Sequence, residues 1–287
     1  MSESTSLYRR HRPHSFDQVV GQQHVVRTLS NAITQDKVHH AYLFVGSRGT
    51  GKTSMAKILA ASLNCENGGP TLTPCGTCES CRSIAAGNSV DVIEMDAASN
   101  RSVDDIRELR DRVAFAPTAG RWKVYILDEA HMLTKEAWNA FLKTLEEPPT
   151  HVIFIHATTE IHKVPDTILS RCQRFDLSRL PIKSITTKLN RIAKAEKIQI
   201  TPGAIGMIAE IAEGGMRDAE ALLTQIASLT DSAIDETTVS IMFGSSETKN
   251  LVALATHLAD ENLSEALYLI GALSEDGKDL SVFAGSF

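Results

Sequence analysis

The sequence lacks the features that would place it in a membrane or outside the cell. None of its apolar runs approaches the roughly eighteen residues that a membrane-spanning helix requires. The amino-terminal segment, MSESTSLYRRHRPHSF, has no apolar core of the kind found in secretory signals. We therefore expect a cytoplasmic protein that makes no contact with membranes. Its 287 residues are enough for two or three compact units.

An excess of positive charge is also missing. The formal net charge is −6 at pH 7, which argues against a stand-alone basic nucleic-acid-binding domain. If the protein meets DNA, we expect it to do so through a local patch or as part of an assembly. Hydrophobic residues make up 43% of the chain, which is sufficient for a buried core.

Cysteine is scarce but strongly clustered. Four of the five cysteines lie in the stretch CENGGPTLTPCGTCESC, where Cys65, Cys75, Cys78 and Cys81 have the spacing C-x9-C-x2-C-x2-C. A reducing compartment disfavours a disulfide framework. A thioredoxin-like redox pair is disfavoured because no helix amino terminus is evident at Cys75 or Cys78. Metal ligation is therefore the main interpretation.

Two metal chemistries fit this spacing. The run CGTCESC matches the opening of a bacterial ferredoxin motif, with Cys65 or Cys172 available as the fourth ligand, but the closing C-x3-C-P is missing. Zinc fits better, because tight turns commonly supply pairs of thiolates to a tetrahedral zinc ion. Four thiolates would leave no position open for water, so we expect a structural site. Cys172 is then most simply a small buried residue.

Strand-like and helix-like segments alternate over the first part of the chain. The strand-like segments are HHAYLFVG, VDVIEMDAAS, KVYILDEAHM, HVIFIHATTE and CQRFDLSRL. Most of their apolar centres are nearly continuous, which is typical of parallel strands covered on both faces. Helical patterns lie between them at Lys52–Leu63, Val103–Val113 and Lys135–Leu145. This alternation predicts an α/β fold with a doubly wound parallel sheet.

The pattern becomes helical after residue 180. Thr201 and Pro202 are typical of a helix start, and Gly214 and Gly215 of a helix end. The last part of the chain contains two further helical patterns and the start of another, GKDLSVF, so we expect a truncated third unit. The predicted domains are residues 1–180 with an insert at 65–81, residues 181–243, and residues 244–287.

The segment GSRGTGKT fits the phosphate-binding pattern G-x4-G-K-[ST]. Its glycines let backbone N–H groups point at phosphate oxygens, and the helix that begins here adds its dipole. Lys52 would supply a cation to the β- and γ-phosphates, and the Thr53 hydroxyl would ligate Mg²⁺. The motif follows an apolar strand and opens an alanine-rich helix, a context that argues against a chance match. The predicted nucleotide-binding residues of this P-loop are Gly46, Ser47, Arg48, Gly49, Thr50, Gly51, Lys52, Thr53 and Ser54.

A second acidic motif, VYILDEAHM, complements the P-loop. A buried strand ends in Asp128 and Glu129. Asp128 would hold the Mg²⁺ ion and Glu129 would polarise the attacking water. Alone, two acids at a strand end could be an ordinary polar terminus. Together with the P-loop they predict a site that binds and hydrolyses ATP, leaving ADP.

Several stretches together resemble one known family. They are YRRHRPHSFDQVVGQ, HHAYLFVGSRGTGKTS, the cysteine insert, DEAHMLTKEAWNAFLKTLEEPP, ATTE and TILSRC. This combination resembles the ATPase portion of the gamma/tau subunits of bacterial DNA polymerase III clamp loaders, in the AAA+ superfamily. The resemblance covers nearly the whole chain. It implies an AAA+ P-loop domain with a zinc insert, a helical lid and the first part of a helical collar domain.

The resemblance also implies roles for further residues. Thr159, rather than its neighbour Thr158, would be a sensor of the γ-phosphate. Arg171 would be an arginine finger that acts in trans on nucleotide bound by an adjacent subunit, and its alternative is a surface salt bridge. Arg217 would reach the phosphates from the lid, and its alternative is a cation on a helix surface. The segment that would line the adenine pocket contains Tyr8, Arg12, Pro13, Val19 and Val20.

The function that the resemblance implies is that of an ATP-driven motor. Such a subunit, within the DNA polymerase III holoenzyme, would join other clamp-loader subunits in a hetero-pentameric ring, hold a sliding clamp and load it on primed DNA. Its cofactors would be ATP or ADP, Mg²⁺ and Zn²⁺. Two alternatives are another AAA+ nucleic-acid motor, which would not be expected to carry the insert, and a zinc-containing adaptor module. The latter is disfavoured because the insert has few basic residues, the nearest being Arg82.

Overall fold

The computed structural model describes residues 6–230, 232–243, 245–275, 280 and 283. The predicted domain boundary at residue 244 and most of the pattern GKDLSVF lie outside the described residues. The strands are β1 (Ala41–Val45), β2 (Val92–Asp96), β3 (Lys123–Asp128), β4 (Val152–Thr158) and β5 (Gln173–Asp176). The helices are α1 (Leu7–Arg10), α2 (Gln23–Thr34), α3 (Lys52–Asn64), α4 (Glu79–Ala86), α5 (Val103–Val113), α6 (Lys135–Glu146), α7 (Asp166–Leu169), α8 (Ile182–Glu196), α9 (Pro202–Ile211), α10 (Met216–Leu229), α11 (Glu236–Phe243), α12 (Ser245–Ala259) and α13 (Leu263–Glu275).

The five strands form one parallel sheet in the order β2-β3-β4-β1-β5. Every residue of β1 and β4 is buried, which explains their continuous apolar sequences. The α/β fold with a parallel sheet is therefore confirmed. Because all strands run in the same direction, the loops that follow β1, β3 and β4 meet at one edge of the sheet.

Alternate residues of the strands pack into two separate cores. Tyr42 and Phe44 of β1 contribute to a cluster with α3, whereas Tyr125 and Phe154 belong to a cluster with α5 and α6. In the second cluster the ring of Phe141 meets that of Phe154 edge-on at 4.8 Å. This alternation follows from the two-residue period of a strand. Both faces of the sheet are covered, and its carboxyl edge is left for the loops.

A third cluster holds the helices α8 to α11 together. It includes Ile185, Ile208 and Leu223, and Leu7 of α1 packs into it from the amino-terminal segment. The predicted helix start is confirmed: the Thr201 hydroxyl accepts a hydrogen bond from the Ala204 N–H, and Pro202 occupies the first turn. Beyond this cluster, α12 and α13 pack against each other. The domain divisions themselves stay predictions.

The insert differs from the sequence expectation in one respect. The sequence indicated no helix start at Cys75 or Cys78, but α4 begins directly after Cys78. The Cys78 sulfur caps this helix by accepting a hydrogen bond from the Cys81 N–H, and Cys81 lies inside the helix. The error arose because cysteine is not among the usual capping residues. In the part of the chain that the structure describes, no helix has the length and apolar character needed to cross a bilayer.

Candidate functional site

The P-loop connects β1 to α3 at the carboxyl edge of the sheet. Gly49 and Gly51 have φ angles of 76° and 104°, which favour glycine because it has no Cβ. The Lys52 side chain is buried, and its Nζ donates to the carbonyl oxygens of Gly46 and Ser47 at 2.9 and 3.0 Å. Burial lowers the pKa of Lys52, and the carboxylates of Glu129 and Asp128 partly offset this effect. Lys52 is thus held over the concave face of the loop.

Thr53 and Asp128 are brought together from distant parts of the sequence. The Thr53 hydroxyl donates to Asp128 Oδ2 at 2.7 Å, although the two residues lie on α3 and at the end of β3. A hydroxyl and a carboxylate are the hard oxygen ligands that Mg²⁺ takes beside phosphate. These residues fit a magnesium ion bound next to the P-loop.

Glu129 adopts an unusual backbone conformation. Its φ is 47°, and its backbone N–H donates a hydrogen bond of 2.9 Å to Oδ1 of Asp128. A non-glycine residue in this region is uncommon and is concentrated at functional sites. The Thr159 hydroxyl donates to Glu129 Oε2 at 3.3 Å, whereas Thr158 is fully buried and bonds to His131. Of the two threonines, Thr159 therefore contacts the acidic motif.

A cavity extends from the P-loop to the amino-terminal segment and the lid helices. The residues predicted for adenine all line it, and Arg217 does so from α10. Sequence reasoning missed four lining residues, which come from the chain after β5 and have no local motif. Two of these, Lys188 and Glu220, form a buried ion pair at 2.8 Å. The missed residues are Leu180, Lys188, Met216 and Glu220.

Helix α10 contacts the P-loop directly. The Met216 N–H donates to the Gly49 carbonyl oxygen at 3.0 Å. The next residue, Arg217, places its guanidinium carbon 4.9 Å from the centre of the Tyr8 ring, a cation–π contact. Arg217 is therefore not merely a solvated cation on a helix surface. It lies between the amino-terminal segment and the phosphate-binding loop.

Arg171 lies at the opposite edge of the sheet. It precedes β5, whose first residue Gln173 pairs with Tyr42, whereas the P-loop follows the other end of β1. At about 3.3 Å per residue, Tyr42 and Gly46 are about 13 Å apart along the strand. Arg171 Nη2 is 2.6 Å from Glu146 Oε1, so the guanidinium also makes the salt bridge of the alternative interpretation. Arg171 does not line the nucleotide cavity of its own chain.

The four clustered cysteines converge on one point. The sulfur atoms of Cys65, Cys75, Cys78 and Cys81 all lie within 4.8 Å of one another. Backbone N–H groups donate to three of them: Cys75 to Cys65, Cys78 to Cys75, and Cys81 to Cys78. Hydrogen bonds from the Thr77 hydroxyl and from backbone N–H groups lower the pKa of Cys75 to about 5. Four convergent sulfurs with such donors fit tetrahedral metal ligation.

Burial affects two other thiols. It raises the pKa of Cys81, and a metal ion would offset this by deprotonating the ligand. Burial also raises the pKa of Cys172 to about 12. Cys172 is not part of the sulfur cluster, so Cys65 is the fourth member. The helix start at Cys78 removes one argument against a redox pair, but four sulfurs converge where a redox pair needs two.

Comparisons with known proteins place the chain in a family. A family model described as DNA polymerase III, delta subunit matches residues 21–181. A second model, described as DNA polymerase III clamp loader subunit, ATPase lid domain, matches residues 184–236. The chain belongs to the family of DNA polymerase III clamp-loader subunits. The resemblance read from the motifs is confirmed.

Curated relatives of this clamp-loader family match most of the chain. DNA polymerase III subunit tau of Bacillus subtilis is 50% identical over 274 residues, which cover 96% of this chain and 48% of the relative. Subunit tau of Escherichia coli is 45% identical, over 94% of this chain and 42% of the relative. The chain therefore spans less than half the length of these two relatives.

A solved structure matches the fold. The RuvB Holliday junction branch migration motor of Thermotoga maritima superposes with a TM-score of 0.60 over 79% of this chain and 70% of that chain, at 20% identity. At this identity the likeness concerns the fold alone. Together with the parallel sheet and the lid match, it confirms the predicted AAA+ ATPase fold of this clamp-loader family member.

Proposed function

We propose that this chain is an ATP-hydrolysing motor subunit of a clamp loader, which loads a sliding clamp on primed DNA for a bacterial replicative polymerase. The observation that carries the proposal is the hydrogen bond from Thr53 to Asp128, next to the P-loop that holds Lys52. A subunit that only served as a scaffold would not need to retain both halves of this site. Membership of the clamp-loader family supports the choice of reaction and substrate.

The site residues would share the work of binding and hydrolysis. The P-loop N–H groups and Lys52 would bind the phosphates. The adenine would be contacted by the lining residues of the amino-terminal segment, which are Tyr8, Arg12, Pro13, Val19 and Val20. Thr53 and Asp128 would hold Mg²⁺, which neutralises phosphate charge. Glu129 would orient and polarise the attacking water, and Thr159 would sense the γ-phosphate through its contact with Glu129.

Two arginines would complete the site from different chains. Arg217 would reach the phosphates from the lid, because the contact of Met216 with Gly49 keeps its helix against the P-loop. Arg171 would act on nucleotide bound by the adjacent subunit, since its position at the amino edge of the sheet lies far from its own P-loop. The partners would be the other subunits of a hetero-pentameric ring, the sliding clamp and primed DNA.

The cysteine cluster would hold a structural zinc ion. Its four thiolates would fill a tetrahedral shell and leave no position for substrate or water. We assign it no step of the reaction. Iron–sulfur chemistry remains the alternative that metal analysis would distinguish.

The proposal is tested most directly by Lys52→Ala. Loss of a charge-assisted contact with phosphate should weaken ATP binding about 100-fold, measured by calorimetry on the purified chain, and abolish clamp loading by the assembled complex. Lys57→Ala is the matched control, because Lys57 lies on the same helix but pairs with Glu94 at 2.7 Å outside the cavity. Unchanged nucleotide binding in Lys52→Ala would refute the P-loop assignment.

A further inference from the structure

Glu129 has a second polar neighbour besides Thr159. His131 lies in the short 3₁₀ turn Ala130–Met132 that follows the acidic motif, and only 7% of its side chain is exposed. Its Nδ1 is 3.5 Å from Glu129 Oε2 and 3.1 Å from the Thr158 hydroxyl. One ring nitrogen therefore faces both the acidic motif and the end of β4.

The other ring nitrogen has a different partner. His131 Nε2 is 3.2 Å from Glu160 Oε1. Glu160 is itself held in place, since its N–H donates to the Thr158 hydroxyl at 3.0 Å and its carboxylate pairs with Lys163 at 2.9 Å. The hydrogen bond with Lys163 lowers the pKa of Glu160, so it stays a carboxylate. The buried ring of His131 thus lies between two carboxylates that follow neighbouring strands.

The contact with His131 can restrict the orientation of the Glu129 carboxylate. The Glu129 side chain is 37% exposed, and an exposed carboxylate samples several rotamers unless contacts restrict it. A contact from a ring that is fixed at its far side restricts the carboxylate more than a free side chain could, as with histidines oriented by a carboxylate elsewhere. His131 is not one of the described residues that line the nucleotide cavity. Any effect of His131 on the reaction must therefore pass through Glu129.

We propose that His131 is a positioning residue for ATP hydrolysis: its Nδ1 side orients the Glu129 carboxylate towards the attacking water, and Glu160 fixes the ring from the Nε2 side. The inference rests on the proposed ATPase function. It assigns no proton transfer to His131. Its consequence is that hydrolysis, and not nucleotide binding, depends on the imidazole.

Two amide substitutions at His131 distinguish the roles of its two ring nitrogens. In His131→Asn the amide takes the place of Nδ1 and keeps a polar group towards Glu129. In His131→Gln the amide takes the place of Nε2 and keeps only the contact with Glu160. His162→Ala is the matched control, because His162 also approaches Glu160, at 3.5 Å, but is 72% exposed and has no contact with Glu129.

The experiment measures steady-state ATPase activity of the full-length protein in its assembled complex, with ATP affinity measured separately. We expect His131→Ala and His131→Gln to lower kcat ten- to hundredfold, roughly the cost of a small misplacement, with unchanged KM and ATP affinity. His131→Asn should stay within about threefold of wild type, and His162→Ala within about twofold.

Two results would overturn the inference. One is a kcat of His131→Ala within about twofold of wild type. The other is a uniform loss in all three His131 variants together with lower thermal stability and weaker ATP binding, which would indicate a packing role. Failure of the proposed function looks different: the wild-type complex would then hydrolyse no ATP, or Glu129→Gln would hydrolyse it normally, and the inference would fall with it.

Discussion

The two ends of α3 carry two sites of opposite character. The helix spans Lys52–Asn64, about 20 Å. At its amino end the P-loop opens into a cavity shared with the lid and the amino-terminal segment. At its carboxyl end Cys65 belongs to a cluster of four sulfurs, which accept hydrogen bonds from nearby backbone N–H groups and from the Asn67 and Thr77 side chains. With the proposed roles, the amino end of α3 would exchange a nucleotide and the carboxyl end would retain a metal ion.

The difference lies in how complete each site is within one chain. The sulfur cluster has all four members of a tetrahedral shell on one short segment. Arg171, the proposed arginine finger, lies at the far edge of the sheet and does not line the cavity of its own chain. With the proposed roles, the sulfur cluster would be purely structural, whereas the nucleotide site would depend on assembly for its arginine finger. Substitutions that affect one site at a time test this contrast.

The largest effect should come from Arg171→Ala. Loss of an arginine finger lowers hydrolysis by about 10³- to 10⁵-fold. In mixed assemblies the loss should fall on the subunit whose nucleotide faces the variant, and not on nucleotide bound by the variant itself. Single-turnover hydrolysis in assemblies that carry one variant subunit measures this.

A nearby arginine provides the control. Arg174 is also on the surface and pairs with Asp176 at 2.7 Å, so Arg174→Ala should leave hydrolysis nearly unchanged. Loss of hydrolysis only in the subunit that carries Arg171→Ala would contradict action in trans. No loss at all would leave Arg171 as a salt-bridge partner of Glu146.

The second prediction concerns the other end of the helix. Cys78→Ser removes a sulfur ligand but keeps a capping side chain for α4, because serine is a preferred N-cap residue. We therefore expect loss of the one zinc ion per chain, measured by native mass spectrometry, without loss of the helix start. ATP affinity should change by less than about threefold, because the cavity does not include the cluster. Cys172→Ser should retain the metal.

Three outcomes would contradict these assignments. Full zinc retention in Cys78→Ser would remove Cys78 from the shell. Loss of ATP binding together with the metal would mean that the two ends of α3 depend on each other. Iron in place of zinc in the wild type would replace the structural assignment with the iron–sulfur alternative.

Features that depend on a short local sequence pattern could be predicted, whereas features that depend on distant parts of the chain could not. The P-loop and the five strands are local patterns, and the structure contains them where the sequence predicted. The pairing of Thr53 with Asp128 could be anticipated because two motifs jointly imply it. Cys78 was misread locally, since its capping role depends on the fold of the insert.

The residues that were missed depend on packing between distant elements. Lys188 and Glu220 lie on α8 and α10, and nothing in either helix indicates that they meet at the cavity. The same holds for His131 and Glu160, whose contact requires the neighbouring ends of β3 and β4. The first contact arises from the packing of two helices and the second from strand order, and a single sequence specifies neither.

The smallest effect we predict is at Asn64, the last residue of α3. Its side chain is 3% exposed and binds one backbone unit twice: Nδ2 donates to the Trp122 carbonyl at 2.8 Å, and Oδ1 accepts from the Trp122 N–H at 2.9 Å. Asn64→Ala would leave both backbone groups without these partners, at a cost of about 1–3 kcal/mol in the free energy of unfolding. Chemical denaturation measures this cost, with Asn190→Ala on the exposed face of α8 as the control. Because Asn64 contacts neither ligand site, ATP affinity and zinc content should both persist, and a change in either would show that the carboxyl end of α3 is coupled to that site.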